Sequence, residues 1–529
     1  MPRNSKEQTM RVLLAGLCGF FLAASTHAQS VKAAASCEQL ASLKLPNTAI
    51  TLAAVVAPGA FTPPPQPAGS VVPTPDADAF RELPAFCRVA ATLRPSSDSD
   101  IKIEVWLPIS GWNGKFQGIG NGGWGGSITY AGPTSSMADA LRRGYATAST
   151  DTGHVGAGLD GTFSFGHREK LIDFAHRAVH EMTVQAKATV KAYYDSPPRF
   201  SYWNGCSGGG RQGLKEAQKY PADYDGIIAG APALNWTGMV THGLGVAHAT
   251  LKDPASYIPP EKFAVIHNAV LEACDTLDGV KDGVLNDPRR CRFDPGVLQC
   301  KGTETATCLT APQVEAARKI YGPATNPRTG AELSPGKEPG SELGWVAHAR
   351  GPTPDSLLTD TFKYVVFNNP KWDWKTLDFD KDIALAEQMD NALINATDPN
   401  LEAFFGRGGK ILMYHGWNDQ LIPPRHSTDY YTSVMKRMGG VERVSKAIRL
   451  FMVPGMNHCY GGDGTSNFDR VAALEQWIEQ KRAPDEILGS HVTGAVVDRT
   501  RPLCPYPQVT RYKGTGRVDD AANFACTVP

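Results

Sequence analysis

The sequence lacks an excess of charge of either sign. Lys and Arg together number 53, and Asp and Glu also number 53, in a chain of 529 residues. Attraction to a phosphate backbone needs positive charge in excess on one surface. The composition therefore argues against nucleic acid as a partner. Hydrophobic residues at 42% and charged residues at 20% also argue against a disordered or fibrous chain.

The start of the chain also lacks an apolar run long enough to span a membrane. The apolar run there, residues 12–24, is too short to cross a hydrocarbon core of about 30 Å. This run follows Arg3, Lys6 and Arg11, and small residues precede a cleavage position after Ala28. Such a pattern is typical of a secretory signal peptide. We predict that residues 1–28 are removed and that the protein is secreted or periplasmic, with no membrane anchor after cleavage.

Closely spaced cysteine pairs are absent too. The sequence has no Cys-x-x-Cys, and Cys300 and Cys308 are too far apart for a usual zinc knuckle. Of the 11 cysteines, Cys18 lies in the predicted leader, which leaves an even number in an exported chain. This favours five disulfides over reactive thiols. The count alone assigns no pairings.

From residue 101 onward, β-rich runs alternate with helical patterns. Alternating strands and helices predict a largely parallel α/β sheet. The predicted strands are 101–108, 115–118, 145–150, 199–203, 225–230, 410–416 and 447–452, and the predicted helices are 171–194, 212–219, 427–438 and 468–480.

The alternation stops at about Trp236 and resumes near Lys410. The intervening segment is too long for a loop and too rich in cysteine for disorder. We predict a lid domain at 236–405, inserted into an α/β-hydrolase domain formed by 29–235 and 406–529. A Pro-rich stretch, 58–75, predicts extended surface coil.

The run 205–209, Gly-Cys-Ser-Gly-Gly, fits the nucleophile elbow pattern Gly-x-Ser-x-Gly. In that turn between a strand and a helix, flanking glycines avoid clashes and the serine hydroxyl is exposed. The match alone is weak because the chain has 53 glycines, so an incidental serine in a glycine loop is the alternative. The β-rich run before it and the helix after it favour Ser207 as a nucleophile.

An α/β-hydrolase needs an acid and then a histidine on loops after later strands. Asp419 and His458 each follow an apolar β-rich run and occur in that order. Among 13 histidines, His415 and His426 flank the Asp419 loop and compete with His458 for the role of base.

Two cysteines favour His458. Cys206 immediately precedes Ser207, and Cys459 immediately follows His458. If they pair, their Cα atoms lie within about 4.4 to 6.8 Å, which places Ser207 beside His458. We predict that His458 is the general base for Ser207, that Asp419 orients its ring, and that an acyl-enzyme forms.

Two glycine-rich segments are candidates for the oxyanion hole. The backbone N–H of Gly208 follows the nucleophile and supplies one donor. The run 121–126, Asn-Gly-Gly-Trp-Gly-Gly, follows an early strand, and either Gly122 or Gly123 would supply the second. The alternative for this run is an ordinary turn.

An acidic cluster in 274–287 predicts a calcium site. Asp275, Asp278 and Asp282 recur at steps of three and four among glycines, and calcium takes several oxygen ligands. The pattern is not an EF-hand, and a solvated acidic turn is the alternative. Cys274 and Cys291 bracket the cluster and could hold its loop closed. We expect a structural role for this site.

Four motifs together resemble the tannase and feruloyl esterase family over nearly the whole mature chain. They are Gly-Cys-Ser-Gly-Gly at 205–209, Cys-Asp-x-x-Asp-Gly-Val-x-Asp-Gly-Val at 274–284, His-Gly-Trp-Asn-Asp-x-x-Ile-Pro-Pro at 415–424, and Pro-Gly-Met-x-His-Cys at 454–459. The resemblance implies an α/β-hydrolase with a lid, the triad of Ser207, Asp419 and His458, and structural Ca²⁺.

The resemblance also implies ligands and pairings. Calcium would be held by the side chains of the three aspartates and by the backbone oxygens of Val280 and Val284. The implied disulfides are Cys206–Cys459, Cys37–Cys87, Cys274–Cys291, Cys300–Cys308 and Cys504–Cys526.

The substrates implied by the resemblance are esters of aromatic acids, either feruloyl and other hydroxycinnamoyl esters or galloyl esters, free or attached to plant polymer. Trp345, Phe362 and Phe367 are candidate contacts for the aromatic group and could equally be lid core. A second substrate class is mono(2-hydroxyethyl) terephthalate, whose free carboxylate would need an arginine such as Arg350.

Two rival functions stay open from the sequence. A serine peptidase would use the same triad, and a catalytically silent polyphenol- or carbohydrate-binding protein would use the same scaffold. The intact triad argues against the silent protein.

Overall fold

The computed structural model describes residues 33–65, 67, 78–349 and 351–529. Three parts of the chain named above lie outside these residues. They are the predicted signal peptide, residues 66 and 68–75 of the Pro-rich stretch, and Arg350. Residues Val31–Pro529 form one compact unit by their internal contacts. Within the described residues, no helix combines the length and the apolarity that crossing a membrane requires.

A nine-stranded sheet forms the centre of the protein, and its strands, numbered along the chain, lie in the order β1-β2-β3-β5-β4-β6-β7-β8-β9. Strands β4 to β9 pair in parallel, and β1 to β3 extend one side of the sheet by antiparallel pairing. The strands are β1 (Thr48–Val56), β2 (Phe86–Leu93), β3 (Ile101–Pro108), β4 (Lys115–Ile119), β5 (Ala146–Thr150), β6 (Phe200–Cys206), β7 (Gly226–Gly230), β8 (Lys410–Gly416) and β9 (Ile448–Val453).

Helices flank this sheet and supply most of the regular secondary structure of the insertion between β7 and β8. In the described chain they are α1 (Asp78–Arg81), α2 (Met137–Arg142), α3 (Arg168–Ile172), α4 (Ala178–Tyr194), α5 (Gly208–Lys219), α6 (Trp236–Thr250), α7 (Phe263–Cys274), α8 (Ala311–Tyr321), α9 (Val346–Ala349), α10 (Ser356–Asp360), α11 (Lys381–Asp390), α12 (Glu402–Gly406), α13 (Arg425–Arg437), α14 (Val441–Val444) and α15 (Arg470–Glu479). Three short hairpins pair Ala324–Thr325 with Glu332–Ser334, Ile487–Thr493 with Val496–Leu503, and Val509–Tyr512 with Phe524–Thr527.

The predicted largely parallel α/β sheet is confirmed. Strands β6, β7 and β8 are buried along almost their whole length, as expected for parallel strands covered on both faces. Helix α4 covers one face through Ala178, Met182, Ala186 and Val190, which recur every four residues.

One predicted helix is divided in the structure. Residues 171–194 comprise the end of α3, a π-helical segment at Asp173–Arg177, and α4. Within that segment, Arg177 Nε donates to Asp173 Oδ1 at 2.5 Å, and this ion pair stabilises the wider turn. The apolar period continues across all three elements, and for that reason the sequence predicts a single helix.

The insertion predicted as a lid lies between two neighbouring parallel strands, β7 and β8. It has one apolar cluster of its own, around Phe263 and Trp345, and a second cluster, around Trp236 and Phe362, that includes Trp124 of the hydrolase part. The segment is therefore folded rather than a long loop. Its action as a lid stays a prediction.

Candidate active site

Ser207 lies in a sharp turn between β6 and α5. Its backbone has φ 62° and ψ −122°, a conformation that residues other than glycine rarely adopt. The turn is fixed by the Ser207 N–H, which donates to Gly230 O at 2.9 Å, and by Ser207 O, which accepts from the N–H of Ala233 at 3.1 Å. This is the geometry that holds a nucleophilic hydroxyl clear of the sheet.

The glycines on either side of Ser207 are required by close backbone contacts. A Cβ atom added to Gly205 would lie 2.5 Å from Gly209 O, and one added to Gly209 would lie 3.1 Å from Asn121 O. Side chains at these two positions would force the turn apart. The Gly-x-Ser-x-Gly pattern therefore has a steric cause in this protein.

Asp419 lies in the loop after β8 and is fully buried. Its Oδ1 accepts from the backbone N–H groups of Leu421 and Ile422, both at 2.8 Å. Its Oδ2 accepts from His458 Nδ1 at 2.7 Å and from His415 Nε2 at 3.0 Å. The structure thus brings Asp419 together with two of the three candidate histidines.

The charge of Asp419 is stabilised by those two histidines. Burial favours the neutral carboxyl, but the charges and hydrogen bonds of His458 and His415 outweigh burial and hold the pKa of Asp419 well below its usual range. The carboxylate is therefore ionised at neutral pH and acts only as an acceptor.

The two histidines differ in the environment of the ring nitrogen that does not contact Asp419. Both rings donate to Asp419, so a neutral ring keeps only its other nitrogen as an acceptor. In His415 that nitrogen, Nδ1, pairs with the Ser427 hydroxyl at 2.7 Å, and the ring is fully buried. In His458 the remaining nitrogen is Nε2, and the residue lines a cavity that Ser207 also lines. Of the two histidines that contact Asp419, His458 is thus the one whose second ring nitrogen has no hydrogen-bond partner among the described residues and which lines this cavity.

The disulfide Cys206–Cys459 connects the two sides of this cavity, with Cα atoms 6.0 Å apart. It joins the residue before Ser207 to the residue after His458, across 253 residues of sequence. Ser207 and His458 line the same cavity without a hydrogen bond between them. Such contacts often shorten only when substrate binds.

The five disulfides found among the described residues are the five pairs that the resemblance implies. They are Cys37–Cys87, Cys206–Cys459, Cys274–Cys291, Cys300–Cys308 and Cys504–Cys526.

The glycine-rich run 121–126 packs directly against the start of α5. A Cβ atom added to Gly208 would lie 3.0 Å from Gly123 O and 3.4 Å from Gly123 N. Gly123 has φ 51°, and an added Cβ there would lie 2.1 Å from Gly158 O, so this position needs glycine. Gly122 and Gly123 both line the cavity that Ser207 lines.

Asn121 fixes this glycine run, a role that was not predicted from the sequence. Its Nδ2 donates to Ser127 O and to Thr150 O, both at 2.8 Å, and its Oδ1 accepts from Gln212 Nε2 at 3.1 Å. Gln212 lies on α5, five residues after Ser207. Asn121 therefore links the glycine run to the helix that begins beside Ser207.

The cavity has a volume of about 470 Å³. The insertion supplies Met239, His348, Leu357 and Leu358 to its wall. The lining combines these apolar side chains with many polar ones, among them Asp355 of the insertion and Gln420, so the cavity offers both apolar surface and hydrogen-bonding groups to a small molecule.

The three aromatic residues predicted to contact substrate do not line this cavity. Trp345 is 1% exposed and packs against Phe263 and Tyr321, and Phe362 is 1% exposed and packs against Trp372. Phe367 packs against the same tryptophan. Large aromatic side chains form the insertion's own core because they bury the most apolar area. The apolar wall is aliphatic instead, which aromatic content alone does not predict.

The acidic cluster forms a tight loop. Oxygen Oδ1 of Asp275 accepts from the N–H groups of Asp282 and Gly283 at 3.3 and 3.1 Å, and Asp278 Oδ1 accepts from Val280 N–H at 3.0 Å. Burial, together with the charges of Asp282 and Asp275, raises the pKa of Asp278 to about 6.

The donor set of this loop suits a hard cation, because it offers three carboxylates that repel one another. Arg501 compensates only part of the charge, through a 2.6 Å contact with Asp282. In the described structure, the ligand atoms of these three aspartates do not all lie within 4.8 Å of one another. Binding of a cation would therefore draw the three side chains closer together.

The parallel sheet, the strained serine after β6 and the Asp–His pair on the loops after β8 and β9 define an α/β-hydrolase. The family described as "Tannase and feruloyl esterase" matches residues 87–527. The chain belongs to this family and is a carboxylic ester hydrolase.

Individual relatives agree with this assignment. An uncharacterized esterase from Xanthomonas campestris pv. campestris is 38% identical over 98% of this chain and 95% of its own length. A probable feruloyl esterase B-1 from Aspergillus oryzae is 35% identical over 85% of both chains. The crystal structure of feruloyl esterase B from Aspergillus oryzae superposes with a TM-score of 0.84 at 33% identity, covering 93% of this chain and 99% of that one.

We expect removal of the Cys206–Cys459 disulfide to lower kcat by about 100-fold, because a displacement of about 1 Å in reacting groups has an effect of this size. The Cys206→Ala/Cys459→Ala variant would be compared with Cys300→Ala/Cys308→Ala, which removes a disulfide within the insertion. The measurement is the initial rate of ester hydrolysis, with circular dichroism as the check on folding. Wild-type kcat in the first variant would show that the disulfide does not position His458.

Proposed function

We propose that this protein is an exported serine esterase that hydrolyses esters of aromatic acids, feruloyl and other hydroxycinnamoyl esters or galloyl esters, through an acyl-enzyme on Ser207. The observation that carries the proposal is that Ser207 and His458 line the same cavity, while Nδ1 of His458 is hydrogen-bonded to Asp419. Export is supported by the five disulfides, which persist in oxidising compartments.

In the acylation step, Nε2 of His458 takes the Ser207 proton while the serine oxygen attacks the ester carbonyl. Asp419 stabilises the resulting imidazolium and keeps the proton on Nδ1. The tetrahedral intermediate then expels the alcohol, which receives the proton from Nε2. Water, activated by the same nitrogen, releases the aromatic acid and restores Ser207.

The oxyanion of the intermediate would be bound by backbone N–H groups. Gly208 supplies one at the start of α5, where helical N–H groups lack partners within the helix. Gly122 or Gly123 supplies the other, and the close packing of this run on Gly208 supports the pairing.

The apolar wall from the insertion would hold the aromatic acyl group. Met239, Leu357 and Leu358 face the cavity that contains Ser207. A flat ring between aliphatic side chains buries apolar surface on both of its faces. The insertion would thus act as the lid predicted from the sequence.

The substrate class is tested with methyl ferulate, methyl gallate and mono(2-hydroxyethyl) terephthalate, by chromatography of the acid released. We expect kcat/KM for one of the two methyl esters to exceed that for the terephthalate monoester by about tenfold or more, since excluding a mismatched polar group has effects of at least this size. The reverse order would move the assignment to the terephthalate class. A peptide anilide cleaved faster than all three esters would indicate a peptidase.

Calcium is proposed as a structural ion held by Asp275, Asp278 and Asp282 with the backbone oxygens of Val280 and Val284. Cation binding would neutralise carboxylates that now repel one another. Because an ion that binds only the folded state stabilises it, we expect excess EGTA to lower Tm by about 5 °C.

The calcium prediction is checked by differential scanning calorimetry with matched variants. Asp278→Asn should lose the response to EGTA, whereas Asp294→Asn, an exposed aspartate of the same insertion paired with Arg318, should keep it. An unchanged wild-type Tm in EGTA would contradict the calcium proposal without affecting the esterase proposal.

A further inference from the structure

Three metal-binding side chains meet at a second place, away from the residues that line the cavity of Ser207. They are His180 on α4, Glu216 on α5 and Asp223 in the turn that precedes β7. One ligand atom from each residue lies within 4.8 Å of the ligand atoms of the other two. Three different elements therefore converge on one point.

Glu216 is the unusual member of this group. It is 1% exposed, and neither of its carboxylate oxygens has a hydrogen-bond partner. Burying an ionised carboxylate in this way is strongly unfavourable unless a proton or a cation accompanies it. Glu216 is thus a buried carboxylate without a hydrogen-bond partner, and it lies beside two further metal-binding side chains.

His180 has its ring held beside these carboxylates. Its Nδ1 lies 2.6 Å from Asp223 Oδ2, and its ring stacks on Tyr220 with centroids 3.8 Å apart. The hydroxyl of Tyr220 pairs in turn with His176 Nδ1 at 2.9 Å. The stacking on Tyr220 fixes the plane of the imidazole ring, and Nδ1 thereby stays beside the Asp223 carboxylate.

The nearby lysine, Lys187, makes no hydrogen bond to either carboxylate, although its charge acts on both of them. Lys187 Nζ donates to the backbone oxygen of Asp223, not to its side chain. The Glu216 and Asp223 carboxylates therefore share a buried space with His180 as their remaining partner. The His180 side chain is 29% exposed and the Asp223 side chain 12%, so an ion can reach the group from solvent.

We propose that His180, Glu216 and Asp223 form a site for a divalent transition metal of the Zn²⁺ class. One imidazole and two carboxylates are ligands that Zn²⁺ accepts at about 2.0–2.2 Å, with water completing a tetrahedron. On binding, the ring proton of His180 moves from Nδ1 to Nε2 by exchange with solvent, a proton held on Glu216 is released to solvent, and the metal binds at the atoms that these protons leave. The Nδ1 to Oδ2 contact must widen to about 3.3 Å, as these bond lengths require.

The location suggests what the metal does. Helix α5 begins directly after Ser207, and Glu216 lies near its far end. A metal bound to Glu216 would tie this helix to α4 and to the turn before β7. The site is therefore structural, and it stabilises the helix that carries the nucleophile turn.

The test is a calorimetric titration of the mature protein with Zn²⁺ in buffer containing excess Ca²⁺, which occupies hard-cation sites first. We expect one equivalent of Zn²⁺ to bind and to raise Tm. His180→Gln and Glu216→Gln should each weaken binding by at least about tenfold, because even indirect contacts to a metal have effects of 10–100-fold. The titration does not use esterase activity, so its outcome is independent of the proposed function.

The matched control is His167→Gln. His167 Nδ1 also pairs with an aspartate, Asp98, at 3.0 Å, and among the described residues no third ligand joins them in a metal-binding group. This variant should bind Zn²⁺ as the wild type does. Absence of stoichiometric binding to the wild type, or equal affinity in His180→Gln, would overturn the proposal. If Glu216→Gln fails to fold, His180→Gln still tests the proposal, because the His180 side chain is partly exposed and its substitution disturbs the core less.

Discussion

Ser207→Ala is expected to reduce kcat for ester hydrolysis by about 10⁴- to 10⁶-fold, as removal of a nucleophile does in enzymes that act through a triad. Alanine cannot form the acyl-enzyme, and the remaining oxyanion donors and cavity give only residual catalysis. The measurement is kcat for methyl ferulate and methyl gallate under saturating conditions. Substrate binding should persist, since the cavity wall is unchanged.

The control for this variant is Ser135→Ala, which removes another serine that lines the same cavity. It should keep most of the wild-type kcat. Both variants should unfold at temperatures close to that of the wild type. Substantial hydrolysis by Ser207→Ala would assign the nucleophile to another residue and would revive a binding role for the Ser207 turn.

His458→Gln is expected to reduce kcat by about 10⁴-fold or more, because glutamine cannot take the proton of Ser207. His415→Gln is its matched control, since both histidines donate to Asp419 Oδ2. In His415, both nitrogens are already engaged, one by Asp419 and one by Ser427. We expect its substitution to reduce kcat by no more than about 100-fold, through a shift of Asp419.

The two histidine variants are compared by their kcat values measured at the same pH. A larger loss in His415→Gln than in His458→Gln would contradict the assignment of the base. Equal losses would indicate that Asp419 needs both contacts to hold its position, and the base would then have to be identified by chemical modification.

The sheet was largely predictable because its parallel strands are short, apolar and separated by clear helical periods. The predicted 101–108 and 410–416 coincide with β3 and β8. Strands β1 and β2 were not predicted. In β1 no residue is fully buried, so its apolar alternation is weak, and β2 follows the Pro-rich stretch.

The Ser207–His458 relationship was predictable because two cysteines mark it in the sequence. The hydrogen bond between Asp419 and His415 was not predictable from the sequence. The sequence does not show which partner each ring nitrogen of a histidine takes, and the structure does. The apolar wall of Met239, Leu357 and Leu358 was missed because aliphatic residues carry no sign of which cavity they face.

The group around Glu216 was invisible in the sequence for a different reason. Its three residues come from two helices and a turn, and they form no local motif. Only the packing of α4 against α5 brings them together. Sites of this kind become apparent from buried charges without partners.

The central claim is that Ser207 carries the acyl group of an aromatic ester. The most direct measurement is mass spectrometry of the protein quenched in acid within the first turnovers of methyl ferulate or methyl gallate, followed by peptide mapping. We expect one feruloyl or galloyl group on the peptide that contains Ser207, and none in Ser207→Ala. An acyl group on a different residue, or hydrolysis of both esters with no acylated peptide, would contradict it.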